Sequence, residues 1–337
     1  MLTPRPETWL RPTAGGLYCE PGDFFIDPAA PVPRAVITHG HADHARANHG
    51  AVLATLETIA IMQSRYGAEA GARLEGLLYH QPVELGGVRV MLVPAGHVLG
   101  SAQVVLEHAG CRAVVSGDYK RRADPTCPPF EPQSCDLFIT EATFGLPVFR
   151  HPAAREEILK LLHSLRLFPE RCHVVGVYAL GKCQRVLALL REAGYAEPVF
   201  IHGALHAMCA LYERFGIALG PLRSATGASR EELAGRIVLA PPSALGDLWS
   251  RRLPDPVVAL ASGWMRIKQR AKQRGVELPL VISDHADWDE LTATMSALGT
   301  GEIWVTHGAE EALVRQARLM GLKARALALT GFEDEAE

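Results

Sequence analysis

No apolar run in this 337-residue chain approaches the ~20 residues that a membrane-spanning helix needs. No C-x-x-C pair occurs among the seven cysteines, and their number is odd, with six standing singly near apolar segments. That pattern excludes a disulfide framework. The opening Met1-Leu2-Thr3-Pro4-Arg5-Pro6 has no apolar core of a secretion signal. Together these features predict a reduced, cytoplasmic chain without a membrane partner. Charge of one sign is also missing: 34 Lys+Arg stand against 37 Asp+Glu, a formal net charge of −3. Net charge therefore gives nucleic-acid binding no support by itself. Long repeats and low-complexity segments are absent, and disorder is expected only at Glu333–Glu337.

What is present is an ordinary globular composition, 48% hydrophobic, with 31 Gly and 23 Pro spread along the chain. The length exceeds the ~250–300 residues at which one core stops growing. Two domains, or one domain with a large insertion, are expected. Short apolar runs bounded by turn residues predict strands at Asp23–Asp27, Ala35–Thr38, Val88–Pro94, Gln103–Glu107, Ala113–Ser116 and Leu137–Thr140, with one helix near Leu56–Tyr66. From Pro152 the rhythm becomes that of a parallel α/β unit. Helices are expected at Ala154–Leu165, Gln184–Ala193, Ala204–Phe215 and Ser243–Arg251. The alternating strands are His173–Tyr178, Val199–His202, Ile237–Ala240 and Val257–Ala261. A last stretch reads as strand Leu278–Ser283, helix Trp288–Leu298, strand Glu302–Thr306, helix Glu310–Met320 and strand Ala324–Leu329.

Two buried-type strands end alike, in Thr38-His39-Gly40 and in Thr306-His307-Gly308. If they meet in one fold, the two ends of the sequence build one site and the middle is an insertion. The first of them opens His39-Gly40-His41-Ala42-Asp43-His44. Three imidazoles and a carboxylate within six residues gain little from burial unless something binds them. Such ligands suit zinc or another borderline divalent ion better than magnesium or calcium. The spacing is too tight for one tetrahedral ion, and fits two adjacent ions, one on His39 and His41, the other on Asp43 and His44. Further ligands stand after later strands, at His97 in Pro94-Ala95-Gly96-His97 and at Asp118 in Ser116-Gly117-Asp118.

The order H-x-H-x-D-H, then Gly-His, then Gly-Asp resembles the metallo-β-lactamase fold. Asp27 in Phe25-Ile26-Asp27-Pro28, Glu141 in Thr140-Glu141-Ala142-Thr143, His285 in Ser283-Asp284-His285-Ala286-Asp287 and His307 narrow the resemblance to the β-CASP nucleases. Ala179-Leu180-Gly181-Lys182-Cys183-Gln184-Arg185 and Ala261-Ser262-Gly263-Trp264-Met265 resemble stretches of that family's inserted domain. The chain is most similar to the bacterial exonucleases encoded beside an ATP-dependent DNA ligase, through Gly15-Gly16-Leu17-Tyr18-Cys19, Ser116-Gly117-Asp118-Tyr119-Lys120-Arg121 and Phe144-Gly145-Leu146-Pro147.

The resemblance implies an α/β fold: a metallo-β-lactamase αββα sandwich from residues 1–145 and 275–337, with a β-CASP α/β domain at 146–274 inserted over the active-site cleft. It implies a metal-dependent exonuclease on DNA, serving repair beside a ligase. Two divalent ions are implied, zinc in the first place and manganese as the other choice. The first would take His39, His41, His97 and a shared Asp118; the second would take Asp43, His44, Asp118 and His307. A bridging carboxylate would hold the ions the ~3.5–4 Å apart that two-metal hydrolysis uses, and a bridging hydroxide would attack phosphorus in line. His285 is the candidate general acid. Asp27 and Glu141 would orient imidazole ligands through their other ring nitrogen. In the wider family a histidine at the His307 position goes with RNA enzymes, so an RNA-processing nuclease of the same architecture is the alternative. A small-molecule metallo-hydrolase shares H-x-H-x-D-H but needs neither the insert nor the His285 and His307 motifs.

Cations offer candidate nucleic-acid contacts. Arg266, Lys268, Arg270, Lys272 and Arg274 crowd into nine residues, and Lys120-Arg121-Arg122 follows Asp118 directly. Trp264 could stack on a base, although a core or hinge role is the plainer reading. Gly181-Lys182 at a strand-to-helix turn could seat a phosphate. His202 and His206 could mimic a metal pair, but packing explains them.

Overall fold

The computed structural model describes residues 5–327 and 329, so the tail Glu333–Glu337 lies outside the described residues. The chain divides into two compact units, one holding residues up to 149 and from 285 onward, the other residues 150–284.

The first unit opens with strands β1 (Leu10–Thr13), β2 (Gly16–Cys19), β3 (Phe24–Ile26), β4 (Arg34–Val36), β5 (Ala51–Thr55) and β6 (Arg73–Leu77), hydrogen-bonded in that order into one sheet. Helix α1 (Leu56–Tyr66) follows β5, its first turn closed by the Thr55 hydroxyl, which accepts from the Thr58 N–H. The chain then enters a second sheet through the antiparallel meander β7 (Pro82–Leu85), β8 (Val88–Pro94), β9 (Ala102–His108) and β10 (Cys111–Val115), followed by β11 (Leu137–Ala142). β10 and β11 are parallel.

The second unit is a six-stranded, all-parallel sheet. Its elements in chain order are α2 (Ala154–Leu167), β12 (His173–Gly176), α3 (Lys182–Glu192), β13 (Val199–Ile201), α4 (His206–Arg214), β14 (Leu222–Ser224), α5 (Arg230–Leu233), β15 (Ile237–Ala240), β16 (Val257–Ala261), α6 (Lys268–Gln273) and β17 (Leu278–Leu280). β12 and β15 are buried at every residue, as strands covered on both faces must be. The helix expected at Ser243–Arg251 is corrected to two short 3-10 turns, Pro242–Gly246 and Ser250–Arg252. Pro241 and Pro242 fix the entry, and a segment this short never reaches a regular α-helical turn. The boundary at 274 also needs correction, because β17 pairs with β16 and so belongs to this unit.

The chain re-enters the first unit at His285 and adds α7 (Trp288–Ala297), β18 (Glu302–Gly308), α8 (Glu310–Leu319) and β19 (Lys323–Ala326). β18 pairs parallel with β11 and with β19, completing a seven-stranded sheet in the order β19-β18-β11-β10-β9-β8-β7. One core lies between the sheets, with Leu17, Ile26, Val36 and Leu53 facing Val90, Leu92, Val104, Ile139 and Trp304. A second packs Val105, Val114, Phe138, Ile303 and Val305 against Leu291 and Met295 of α7 and Leu313 and Val314 of α8. A third sets Ala35, Val52 and Ala54 against Ile59 and Met62 of α1. The layers therefore run helix, sheet, sheet, helix. Both Thr-His-Gly strands belong to this sandwich, one in each sheet.

Candidate metal centre

The candidate ligands sit where strands end. β3 stops at Ile26, and Asp27 takes a left-handed backbone (φ 43°) that turns its carboxylate back under the next strand. Its Oδ1 accepts from the Thr38 N–H at 2.8 Å, and its Oδ2 accepts from the Thr38 hydroxyl at 2.5 Å. That hydroxyl has spent its proton, so at 3.0 Å it must accept from His39 Nδ1–H. The tautomer of His39 is fixed, and its Nε2 lone pair faces into the cluster. His44 is fixed the same way without an intermediary, since its Nδ1 lies 2.8 Å from Asp27 Oδ2. One buried carboxylate thus sets two imidazoles. The loop carrying them is held from α1, where Arg65 donates to the Gly40 carbonyl at 2.6 Å.

His97 follows β8, and its backbone N–H donates to Ser101 Oγ at 3.0 Å. Asp118 follows β10. His39, His41, His97 and Asp118 offer atoms that all lie within 4.8 Å of one another. The edges between them are 3.1 Å for His39 Nε2 to His41 Nδ1, 3.0 Å for His41 Nδ1 to His97 Nε2, 3.3 Å for His39 Nε2 to Asp118 Oδ2 and 3.7 Å for His97 Nε2 to Asp118 Oδ2. Bonds of ~2.0–2.1 Å in a tetrahedron imply edges of about 3.3 Å. The donor set fits a divalent ion in size and in chemistry.

Asp118 Oδ2 also lies 3.5 Å from His44 Nε2, which is 3.6 Å from Asp43 Oδ2. A single carboxylate oxygen therefore borders both groups. His307 comes to this side through a β-bulge. Thr306 stands opposite Glu141 and Gly308 opposite Ala142, leaving His307 as the extra residue, with φ 59°. Its ring centroid is 5.2 Å from that of His44. His285 packs its ring 4.7 Å from His97 and sets Nδ1 2.9 Å from Glu141 Oε2. Glu141 is itself held by the Tyr119 N–H at 2.7 Å and the Thr143 hydroxyl at 2.6 Å. Glu141 thus orients His285 rather than one of the four clustered ligands.

Electrostatics separate the imidazoles. Burial, then His44, His97 and His41, hold His39 well below the usual histidine range, so it stands neutral. Burial also works against a charge on His44, but Asp118, Asp43 and Asp27 outweigh it and raise His44 to about 10. Asp118 is pushed up to about 7 by burial, with Glu141 adding to the effect and His44 opposing it. Burial and the His44 charge keep His307 well below its ordinary value.

Several expected nucleic-acid contacts are corrected. Lys120 is buried, and its ammonium donates to Asp124 Oδ2 at 2.7 Å and to the His97 carbonyl at 3.0 Å. Lys182 is buried 2.7 Å from Asp284 Oδ2, beside Arg185, which bonds the same carboxylate at 3.0 Å. Two cations converging on one carboxylate explain the burial without a phosphate at the α3 terminus. Trp264 is half-buried, and the Arg270 guanidinium covers its ring at 4.1 Å, leaving that face closed to a base. Arg266, Lys268 and Arg270 are exposed, and Arg121 is half-exposed. Thr38 was missed by sequence reasoning, although the repeated Thr-His-Gly carried the signal.

Residues 26–174 match the family model described as the Metallo-beta-lactamase superfamily. The four-layer sandwich and its buried His/Asp clusters agree with that likeness: much of this chain is similar to metallo-β-lactamase superfamily proteins, and side chains that could hold a metal gather where its strands end. Among particular relatives, a "Probable DNA ligase" of Opitutus terrae is 31% identical over 93% of this chain, and the match is 30% of that protein. "Endoribonuclease YSH1" of Saccharomyces cerevisiae is 34% identical over 41% of this chain and 19% of its own length. The chain thus spans under a third of the first relative and about a fifth of the second. A crystal structure of a protein of unknown function from Enterococcus faecalis shares the fold, with a TM-score of 0.56 at 13% identity, over 90% of this chain and 77% of that one. No helix among the described residues is long and apolar enough to cross a membrane.

Proposed function

We propose that this chain is a metal-dependent phosphodiesterase of the β-CASP type, acting exonucleolytically on DNA in repair beside a ligase. The observation that carries the hydrolytic reading is Asp118 Oδ2, which borders both His39/His41/His97 and Asp43/His44. His39, His41, His97 and Asp118 would hold one ion. Asp43, His44, Asp118 and His307 would hold the other. When bound, such ions lower the pKa of water and polarise a phosphoryl oxygen. Zinc suits the imidazole-rich donors.

The remaining roles fall to this chain's own side chains. Glu141 holds His285 by Nδ1, which orients the ring for Nε2 to give a proton to the departing oxygen. Asp27 keeps the Nε2 lone pairs of His39 and His44 aimed inward. Exposed Arg266, Lys268 and Arg270 supply positive charge for a phosphate backbone. DNA is favoured because a protein named a probable DNA ligase contains a counterpart of nearly the whole chain. RNA is the second reading, supported by His307 and by the endoribonuclease relatives. Matched 5′-labelled single-stranded DNA and RNA, digested by the zinc-loaded protein, test both. A ladder shortening from one end of DNA is expected, and cleavage of RNA with DNA intact would overturn the choice.

A further inference from the structure

In sequence, Lys120-Arg121-Arg122 looks like a small basic patch beside Asp118. The structure buries Lys120 and pairs the half-exposed Arg122 with a carboxylate. Lys120 donates its ammonium to the carbonyl of His97, and its backbone N–H bonds the Ala95 carbonyl at 3.2 Å. The Lys120 ammonium is itself fixed by Asp124, whose other oxygen accepts from the Thr126 N–H at 2.8 Å and the Thr126 hydroxyl at 2.6 Å. A buried ammonium costs several kcal/mol unless it is fully paired, so this arrangement is built around the His97 loop.

The other half of the segment grips a different loop. The backbone N–H groups of Arg121 and Arg122 both donate to Glu290 Oε1, at 3.0 and 2.8 Å. The Arg122 guanidinium pairs with Asp287, the residue that caps α7 by accepting from the Glu290 N–H at 3.0 Å. Between these anchors the Ala286 N–H donates to the Tyr119 carbonyl at 2.6 Å. His285 is the residue immediately before Ala286. Asp118 therefore starts a five-residue stretch with one arm on His97 and the other on the His285 loop.

We propose that Lys120 and Arg122 are positioning residues with separable duties: Lys120 places the ligand His97, and Arg122 places His285. The proposal rests on the reading of His97 as a ligand and His285 as an acid. The test uses the full-length zinc-loaded protein, 5′-labelled single-stranded DNA and bis(p-nitrophenyl) phosphate. A p-nitrophenolate departs without a proton, whereas a nucleotide alkoxide requires one, so the second substrate reports the metals alone.

Lys120→Met is expected to weaken zinc binding about 10–100-fold in competition with a chromophoric chelator. Both substrates should slow together at limiting zinc and recover when zinc is added. Arg122→Met should keep its zinc and its KM, lose about 10–100-fold in kcat on DNA and hydrolyse the p-nitrophenyl ester as the unaltered protein does. Arg122→Lys should restore part of that loss. Should Lys120→Met fail to fold, Thr126→Val, which loosens only Asp124, carries the zinc measurement in the same direction.

Unchanged zinc affinity in Lys120→Met, or equal losses on both substrates in Arg122→Met, overturns the proposal, provided that the controls behave. Those controls are His97→Ala, which should lose zinc, and His285→Ala, which should slow DNA alone. If His97→Ala keeps its zinc or His285→Ala slows both substrates, the underlying ligand and acid assignments are at fault, and the proposal falls with them.

Discussion

The tripeptide Thr-His-Gly closes β4 and β18 alike in sequence, and the two copies deliver their imidazoles by different means. After β4 the strand simply ends, and His39 is aimed by a hydrogen-bond chain that runs from Asp27 through Thr38. In β18 the strand continues, and His307 is aimed by backbone, as the extra residue of a bulge in the left-handed region. The glycines differ accordingly. A Cβ on Gly40 would first meet the Ile61 side chain, at 2.7 Å, whereas on Gly308, with φ 78°, it would fall 2.3 Å from the Ala142 carbonyl oxygen. Polar networks and strained backbone are thus interchangeable ways of presenting a ligand. They fail differently when altered.

The largest effect tests whether both histidines serve the same chemistry. His39→Ala should lower turnover about 10³-fold or more, since the several kcal/mol supplied by a metal go with it, and metal analysis should find at least one ion missing. His307→Ala with full metal content and full activity would break the comparison. Next comes Gly308→Ala, expected to cost about 3 kcal/mol in denaturant unfolding, because neither the positive φ nor the carbonyl can yield. Gly40→Ala should cost less, about 2 kcal/mol, since a side chain rather than a backbone carbonyl stands in the way, although Ile61 is buried and its Cγ2 and Cβ can yield only by shifting α1. Equal losses would show that β18 is not strained at the bulge. Thr38→Val, which cuts the relay to His39, should weaken zinc binding about 10–100-fold while leaving unfolding cooperative.

The smallest effect is a pH slope. His39 is already neutral, but metal-free His44 keeps its proton up to about pH 10. A metal must displace that proton, so apparent affinity rises with pH. The expected slope is about tenfold per unit for each proton displaced. It should steepen below about 7, where Asp118 also binds a proton in the absence of metal. A slope of zero in chelator competition would mean that His44 is not a ligand.

The sandwich and the cluster were legible in proportion to how local their causes are. Val88–Pro94, Leu56–Tyr66, Ile237–Ala240 and Val257–Ala261 have the residue bounds expected from apolar periodicity, because burial on one or both faces follows directly from that pattern. β6 and β7 were missed, since their half-exposed edge residues give too weak an alternation. His39 to His44 is contiguous and announces itself. The bulge at His307 depends on the partner strand 165 positions away, at Ala142, and no local pattern encodes it. Lys120 and Lys182 misled for the same reason. A cation's sequence neighbours do not disclose whether Asp124 or Asp284 will bury it.

The pairing of β11 with β18 has a consequence for how the protein comes into being. Leu137 lies opposite Glu302, so the β11–β18 seam of the seven-stranded sheet joins segments about half the chain apart. At roughly 5–20 residues per second of synthesis, β11 waits on the order of ten to thirty seconds for its neighbour. Throughout that interval its hydrogen-bonding edge is open and His307 has not been made, and for most of it His285 has not been made either. A ribosome stalled in this window would display a half-built sheet with a ready edge, vulnerable to pairing with another nascent chain. The sandwich becomes a closed structure only when its last strands arrive.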